Sequence, residues 1–394
     1  MTEKIRVGII FGGRSSEHEV SLTSASCVLK AVDKTKYDII PIGITKAGQW
    51  LVGDDVLALL SSQVRQLEAK EPRQLQSSAS QEALPVSLLP VPGKAGLVAL
   101  DVEGETPQIP QLTNRLDVVF PVLHGTYGED GAIQGLMELA DLPYIGAGIT
   151  GSAVAMDKAI AKAVLSAGGF PQLPYLVVLR SQWEKDPALV QKEVESHLAY
   201  PCFVKPASLG SSVGISKVRN SGELQPALAE AAVYDRKFVI EKDAGNAREV
   251  ECSVLGNDEP IASVPGEIIP SREFYDYVAK YHDDDSELII PARISAKATR
   301  KVQDLAVQAF KALDCAGMAR VDFFVDKATE EVYINEINTI PGFTPISMYP
   351  KLWEASGLPY GELIDRLIEL AIERHGDKQR NETSFRPKEM RSEP

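Results

Sequence analysis

Two stretches of this chain combine residue types suited to work on phosphate. The first, KPASLGSSVGIS at 205–216, ends an apolar run on Lys205 and passes through Gly210, Ser211, Ser212 and Gly214. Small residues leave several backbone N–H groups free to point at one anion, serine hydroxyls add donors, and the lysine supplies compact positive charge. The run suits a flexible flap over a polyphosphate; taken alone, it reads equally as a plain Gly/Ser hairpin loop. The second stretch is ARVDFFVDKATEEVYINEIN at 319–338. Strand alternation sets Arg320 and Asp322 on one face, against Val321 and Phe323 on the other. It likewise sets Glu336 and Asn338 together on the return strand, with Ile337 opposite. A turn near Lys327–Glu330 brings Asp322 within about one register step of Asn335–Glu336. Three oxygen ligands then converge beside an arginine. Such hard donors suit Mg2+, which takes a few carboxylate oxygens plus substrate phosphates, although a solvent-facing polar strand face shows the same pattern. A phosphate flap and a magnesium hairpin in one chain support each other, and together they point to an enzyme that uses ATP.

Other glycine loops carry less. GAGITG at 146–151 fits G-x-G-x-x-G, but no acidic residue follows about 20 positions later, as a dinucleotide site requires. A domain-joining turn is the better reading. No G-x-x-x-x-G-K-[ST] occurs, which excludes a P-loop NTPase.

To position these residues the chain must supply strands that end at the site. Ile5–Phe11 is a short apolar run closed by Gly12-Gly13, and it is followed by a helix in which Val20, Val28, Ala31 and Val32 share a face. YDIIPIGIT at 37–45 and DVVFPVLHG at 117–125 read as further strands. Ile133, Leu136, Met137 and Ala140 then recur at the spacing of an amphipathic helix. This alternation predicts a parallel sheet with crossover helices, an α/β arrangement. Between these strands, the stretch from 61 to 110 is rich in Ser, Gln and Pro with little period, and reads as an irregular insertion. Beyond a helix at 152–167, PYLVVLR, CFVKPA and FVIEK are strands interleaved with helices near 186–198 and 222–233, a compact α+β block. REVECSVLGN, PIASVPGEII and SELIIPARI are strand-like, and a helix at 295–314 precedes the hairpin. The polar segment after Arg374 is expected to be disordered.

Composition narrows the function classes. The 394 residues carry Lys+Arg 41 against Asp+Glu 55, a formal charge of -14. That balance opposes a nucleic-acid surface, which needs clustered cations. No run approaches the roughly 20 apolar residues of a spanning helix, and MTEKIRVGIIFGG does not read as a signal peptide, so no membrane role is expected. Cys27, Cys202, Cys252 and Cys315 form neither a zinc pattern nor a disulfide framework, which fits a cytoplasmic setting.

Several long, widely separated motifs carry a family resemblance. GGRSSEHEVSL (12–22), HGTYGEDGAIQG (124–135), MDK (156–158), KPASLGSSVGIS, AREVECSVLGN (247–257), FYDYVAKY (274–281) and ARVDFF…NEINTIPGFTPIS (319–347) resemble those of the D-alanine–D-alanine ligases of the ATP-grasp superfamily. The likeness runs from about residue 4 to 374, broken mainly at 61–110. It implies a three-domain ATP-grasp fold: an N-terminal parallel-sheet domain over 1–146 with the insertion, a central subdomain over 147–241, a C-terminal subdomain with the metal site over 242–376, and a tail over 377–394. It also implies synthesis of D-alanyl-D-alanine for peptidoglycan. One D-alanine carboxylate attacks the γ-phosphate of ATP to form an acyl phosphate, which the amine of a second D-alanine attacks.

The same resemblance implies the site. Glu17 takes the first D-alanine's ammonium and joins Ser211 and Tyr281 in a hydrogen-bonded group that locks the flap. His124 contacts the first D-alanine, and Glu129 supports the neighbouring loops. Lys158, Lys205, Ser212 and Lys280 bind the nucleotide, with Lys280 on the γ-phosphate, Glu241 on the adenine amino group and Glu249 on the ribose. Asp322, Glu336 and Asn338 hold two Mg2+ ions, for which Mn2+ can substitute. Arg320 steadies charge on the transferring phosphoryl and the tetrahedral intermediate. Ser347 and the Gly342 backbone take the second D-alanine's carboxylate. FYDYVAKY, with Tyr275, Tyr277 and Tyr281, suits a closing lid, and tyrosine at 281 favours an amine acceptor over D-lactate. A homodimer is usual in the family. The 61–110 stretch and EKDAGNARE (241–249) resemble the longer ligases, which leaves the domain limits open.

Overall fold

The computed structural model describes residues 4–68, 83–93, 96–100, 112–210, 213–269, 287–344 and 346–384. Chain order begins with β1 (Ile5–Gly12), α1 (His18–Ala31), β2 (Tyr37–Ile44), β3 (Trp50–Val52), α2 (Val56–Glu68), β4 (Leu84–Leu88), β5 (Gly96–Ala99), β6 (Leu112–Arg115), β7 (Val118–Val122) and α3 (Ala132–Ala140). The strands form one sheet in the order β6-β5-β4-β3-β2-β1-β7. Both faces of β1 are buried: Val7, Ile9 and Phe11 pack with α1 and α2, while Ile10 packs with Ile133 and Met137 of α3. Burial on both sides explains its near-continuous apolar sequence.

The expected parallel sheet is a mixed one. Only β2, β1 and β7 run parallel, whereas β3, β4, β5 and β6 add on antiparallel. The reversal starts at a tight turn after β2, where the Gly48 N–H donates to Thr45 O and the Thr45 N–H to Gln49 O. So short a connection permits only antiparallel pairing. The described part of 61–110 is therefore not irregular. α2 continues through it to Glu68, and β4 and β5 bury Val86, Leu88, Leu97 and Val98. These strands are short and broken by Pro and Gly, which hid their period. Residues 69–82, 94–95 and 101–111 lie outside the described residues.

Two helices, α4 (Ile149–Met156) and α5 (Lys158–Ala167), lead into a second sheet. It comprises β8 (Tyr175–Leu179), β9 (Cys202–Pro206), β10 (Ser216–Val218) and β11 (Lys237–Lys242), with α6 (Arg180–Lys185), α7 (Pro187–His197) and α8 (Ser221–Tyr234) between strands. Its order is β10-β9-β11-β8, antiparallel throughout. Val190 and Val194 of α7 and Leu224, Leu228 and Ala231 of α8 cover one face, and Ala159 of α5 packs with Val239 on the other.

The third sheet holds β12 (Ala247–Gly256), β13 (Ile261–Ala262), β14 (Gly266–Ile269), β15 (Glu287–Ile289), β16 (Gly317–Asp326) and β17 (Val332–Asn338). α9 (Ala296–Ala312) lays Val302, Ala306, Ala309 and Phe310 against Val250, Cys252, Val321, Phe323 and Ile334. On the opposite face Leu255 and Met318 join the core of the first sheet, while Glu251, Ser253, Arg320 and Asp322 present polar groups. α10 (Met348–Ala355) and α11 (Tyr360–Lys378) follow, and α11 returns to pack Leu363, Leu367 and Leu370 with Val7, Ile9 and Phe11 of the first sheet. The segment expected to be disordered after Arg374 thus begins as the last turn of α11. It is tied down by His375 on Asp141 and Lys378 on Glu138. Residues 385–394 lie outside the described residues.

Candidate active site

The hairpin β16–β17 delivers its polar face as the alternation requires. Arg320 pairs directly with Asn338 and Asp322 with Glu336, and a bulge follows between Asp322 and Phe323. That bulge spares Asn335 a partner in the ladder and keeps Phe323 opposite Ile334 in the core. On the neighbouring strand β12, Glu251 stands opposite Asp322, a carboxylate that the sequence reading missed although it lies two residues beyond Glu249. Arg320 fills the centre. Its guanidinium donates to both Asp322 oxygens at 2.7 Å and lies 2.9 Å from Glu251. Burial opposes the Arg320 charge, but Asp322 and Glu251 more than offset it, so its pKa is raised further above the ordinary value.

Among the described residues, no three His, Cys, Asp or Glu side chains gather as a metal-holding group. The donor set nevertheless suits a hard cation. Asp322 and Glu336 face each other across the strand pair, the third expected ligand is an asparagine, and Asp322 Oδ1, which accepts only from Arg320, keeps a second lone pair. Asn338 is already at hand, its amide donating to Asp322 at 3.1 Å. A cation completed by substrate phosphates needs little more from the protein.

The second sheet and α5 supply lysines beside this face. Lys158 is the first residue of α5, a start fixed by Asp157, whose side chain accepts from the Ala159 and Ile160 N–H groups. The Lys158 backbone N–H donates to Ala207 O at 2.8 Å. Its ammonium donates to Leu209 O at 2.7 Å and lies 3.2 Å from Glu336. One lysine therefore ties the base of the glycine loop to the hairpin. Lys205 leaves β9 to meet Glu241 at 2.5 Å and Asn335 at 3.4 Å. The other Glu241 oxygen is held by Lys162, one helical turn beyond Lys158 on α5. Lys162 had escaped the sequence reading because only the i, i+4 spacing marked it. Burial disfavours the Glu241 charge, yet the two lysines overcome it and hold the carboxyl below its usual range. Burial also works against Lys205, and Glu241 raises it above the ordinary lysine value. Lys162 is lowered, because burial there outweighs Glu241. Both Glu241 oxygens thus serve lysines, which differs from the expected role of an acceptor dedicated to adenine. Glu249 stands on β12, where its charge helps to raise Lys205.

Across the cleft, Glu17 occupies the turn into α1. It stands at the N-cap position but makes no side-chain cap bond. Its carboxylate is buried against two loops instead: a Cβ on Gly125 would sit 2.5 Å from Glu17 Oε2, and one on Gly210 2.7 Å. Gly125 also has φ +72°, so only glycine lets that loop close on the acid. Glu129 accepts from the Gly125 N–H at 2.8 Å and the Ile340 N–H at 3.1 Å. Burial and the Glu17 charge push its pKa up to about 8. His124 is buried and held below the ordinary histidine value by burial, which outweighs the pull of Glu17. The expected contact with a small substrate is not what its neighbours suggest. Nδ1 lies 3.1 Å from Ile340 O and Nε2 lies 3.0 Å from Ser24 Oγ, so both nitrogens are engaged within the protein. Ser347 stands at the N-cap position of α10 but makes no side-chain cap bond. Its hydroxyl accepts from the Thr344 N–H at 3.0 Å, and a Cβ on Gly342 would fall 2.6 Å from it. Ser211, Ser212, Lys280 and Tyr281, with Tyr275 and Tyr277, lie outside the described residues.

The architecture and the motifs agree with what the chain is similar to. A family model described as D-ala D-ala ligase N-terminus matches residues 6–147, and one described as D-ala D-ala ligase C-terminus matches 164–369. A D-alanine--D-alanine ligase of Heliobacterium modesticaldum is 51% identical over 385 residues, covering 98% of this chain and 99% of the relative. One from Geobacillus thermodenitrificans is 48% identical, covering 95% and 98%. Among solved structures, the D-alanine-D-alanine ligase from Coxiella burnetii superposes with a TM-score of 0.78 at 38% identity, covering 96% of this chain and 97% of that one. The VanG D-Ala:D-Ser ligase from Enterococcus faecalis gives 0.79 at 37% identity, covering 94% and 100%. With an arginine-centred acidic hairpin facing paired lysines, and full-length relatives sharing about half of its residues, the chain belongs to the D-alanine–D-alanine ligase family.

Proposed function

We propose that this site joins two D-alanine molecules to form D-alanyl-D-alanine, with ATP converted to ADP and phosphate by way of an acyl phosphate, in support of peptidoglycan synthesis. The observation that carries this reading is the register of the hairpin. Arg320 with Asn338 and Asp322 with Glu336 form one polar square, and Lys158 reaches it from the opposite wall.

The residues divide the work. Glu17 receives the ammonium of the first D-alanine, which leaves that molecule's carboxylate toward Arg320 and the γ-phosphate. Lys158 and Lys205 neutralise phosphate charge, while Glu249 meets the ribose. Glu241 keeps Lys205 aimed at the phosphates and shares its carboxylate with the adenine edge. Asp322, Glu336 and Asn338 would hold Mg2+, which supplies charge neutralisation on the phosphate oxygens. Carboxylate oxygen attacks the γ-phosphorus and ADP leaves. The neutral amine of the second D-alanine, its carboxylate seated between the Gly342 backbone and Ser347 at the start of α10, then attacks the acyl carbonyl. The tetrahedral oxyanion gains from the fixed Arg320 fork, and it collapses with loss of phosphate, which takes up the proton given up by the attacking nitrogen. Positioning of this kind replaces an encounter between free molecules by a reaction between held ones. Ser211, Ser212, Lys280 and Tyr281 close the flap and lid over it, a role resting on their motifs. Among the described residues, no helix is long and apolar enough to cross a membrane. A cytoplasmic homodimer is the setting that fits the family.

The test incubates purified protein with ATP, Mg2+ and D-alanine, and measures phosphate and dipeptide together; parallel arms add D-serine or D-lactate as acceptor. Equimolar phosphate and D-alanyl-D-alanine are expected. Phosphate without dipeptide, or preferential joining to D-serine or D-lactate, would overturn the reading.

A further inference from the structure

A buried serine on α1 ties His124 to the segment that follows β17. Ser24 is fully buried, and its hydroxyl accepts from the Phe343 N–H at 3.3 Å while lying 3.0 Å from His124 Nε2. On its other side, His124 Nδ1 is 3.1 Å from Ile340 O. These bonds assign the hydrogens. A carbonyl only accepts, so Nδ1 carries the ring proton; Nε2 is then a lone pair, and the Ser24 hydroxyl donates to it. The circuit runs from Phe343 N–H to Ser24 to His124 to Ile340 O, with every donor and acceptor used once.

The circuit joins parts of the molecule far apart in sequence. Ser24 and His124 belong to the first sheet and its helix, and Ile340 and Phe343 belong to the segment after β17 that contains Gly342 and leads to Ser347. The same segment is held by Glu129 on the Ile340 N–H and by the Tyr360 hydroxyl on Phe343 O at 2.9 Å. The Phe343 ring stands edge-on to Phe120, with centroids 5.4 Å apart. Ser21, one turn before Ser24, makes an analogous tie, accepting from the Gly12 N–H and donating to Val122 O. Two buried hydroxyls on one helix face thus lock the ends of β1 and β7 and the 340–343 segment into a single arrangement.

We infer that Ser24 is a positioning residue for the second, acceptor D-alanine: through the neutral His124 it fixes the 340–343 backbone on which the acceptor carboxylate rests. This rests on the reading that Gly342 and Ser347 seat that carboxylate. Lys158 and Lys205 lie outside the circuit, so nucleotide binding should not feel its loss.

Initial rates measured against D-alanine at saturating ATP carry separate constants for the donor and acceptor sites. For Ser24→Ala, about a tenfold rise in the acceptor constant is expected, with the ATP constant within twofold and the melting temperature little changed. Ser24→Thr, which keeps the hydroxyl, is expected to restore most of the loss. In spectra of 15N-labelled imidazole, His124 Nε2 should change its hydrogen-bonded state in Ser24→Ala while Nδ1 remains protonated. Equal rises in the ATP and acceptor constants, or no rise at all, would overturn the inference. Ser347→Ala separates the two claims. If it leaves the acceptor constant unchanged, the assignment of the acceptor site fails. If it raises that constant while Ser24→Ala does not, the circuit alone fails.

Discussion

The two walls of the cleft solve opposite electrostatic problems. The nucleotide wall concentrates full charges: two buried lysines share Glu241, and a third reaches from α5 to Glu336. Apart from the Glu17 carboxylate, the amino-acid wall uses groups that are neutral or partly so. His124 keeps a neutral ring, Glu129 is pushed up to about 8, and buried serines and backbone amides make most of the bonds. Polyphosphate arrives with several negative charges and rewards fixed cations, whose mutual repulsion must be held in check before it arrives. A zwitterionic amino acid carries no net charge, so its recognition depends on where single groups stand. Cost of error differs accordingly. On the first wall it appears as stability and nucleotide affinity, on the second as the fit of one substrate.

Between the walls stands Arg320, and its removal should have the largest effect. Arg320→Met is expected to lower kcat by about 10²–10³-fold, the scale of losing a fixed donor to a transition-state oxyanion. Steady-state rates check this, and a loss below tenfold would move the charge-stabilising role elsewhere.

Glu241→Gln probes the lysine wall alone. Removing one partner from a buried ion pair costs about 3–5 kcal/mol because the remaining charge is left uncompensated. Denaturant unfolding should show a loss of that order, with the ATP constant raised at least roughly tenfold and the acceptor constant for D-alanine unchanged. Equal effects on both substrates would erase the contrast between the walls.

A smaller effect comes from pH. Glu129 binds its proton more tightly in the folded chain than its ordinary value of 4.5 allows, with a folded pKa of about 8. Stabilisation from that proton is complete below about 4.5 and is lost as pH rises through about 8. Melting temperature should therefore carry a downward component between these limits. Glu129→Gln should remove that component even though the amide gives up one of the two backbone acceptors. An unchanged slope in the variant would assign the pH dependence to another group.

Legibility in the sequence followed the range of the interactions involved. The polar face of Arg320, Asp322, Glu336 and Asn338 was readable because strand alternation is local and a short turn fixes the register to within a step. The strands between 61 and 110 were not: they are only a few residues long, interrupted by Pro85 and Gly96, and gain their order from edge pairing with β3. Lys162 and Ser24 escaped for a related reason. Each looks like an ordinary helix residue until a partner 79 or 319 positions away is placed beside it. Family motifs pointed to His124 and Glu241 but not to the partners that occupy them.

Locating the cation tests the account most directly. Crystals grown with ADP and Mn2+ should give an anomalous peak within ligand distance of Asp322, Glu336 and Asn338, and Glu336→Gln should weaken or abolish it. A manganese peak bound elsewhere on the nucleotide, away from the β16–β17 hairpin, would contradict the assignment of these residues.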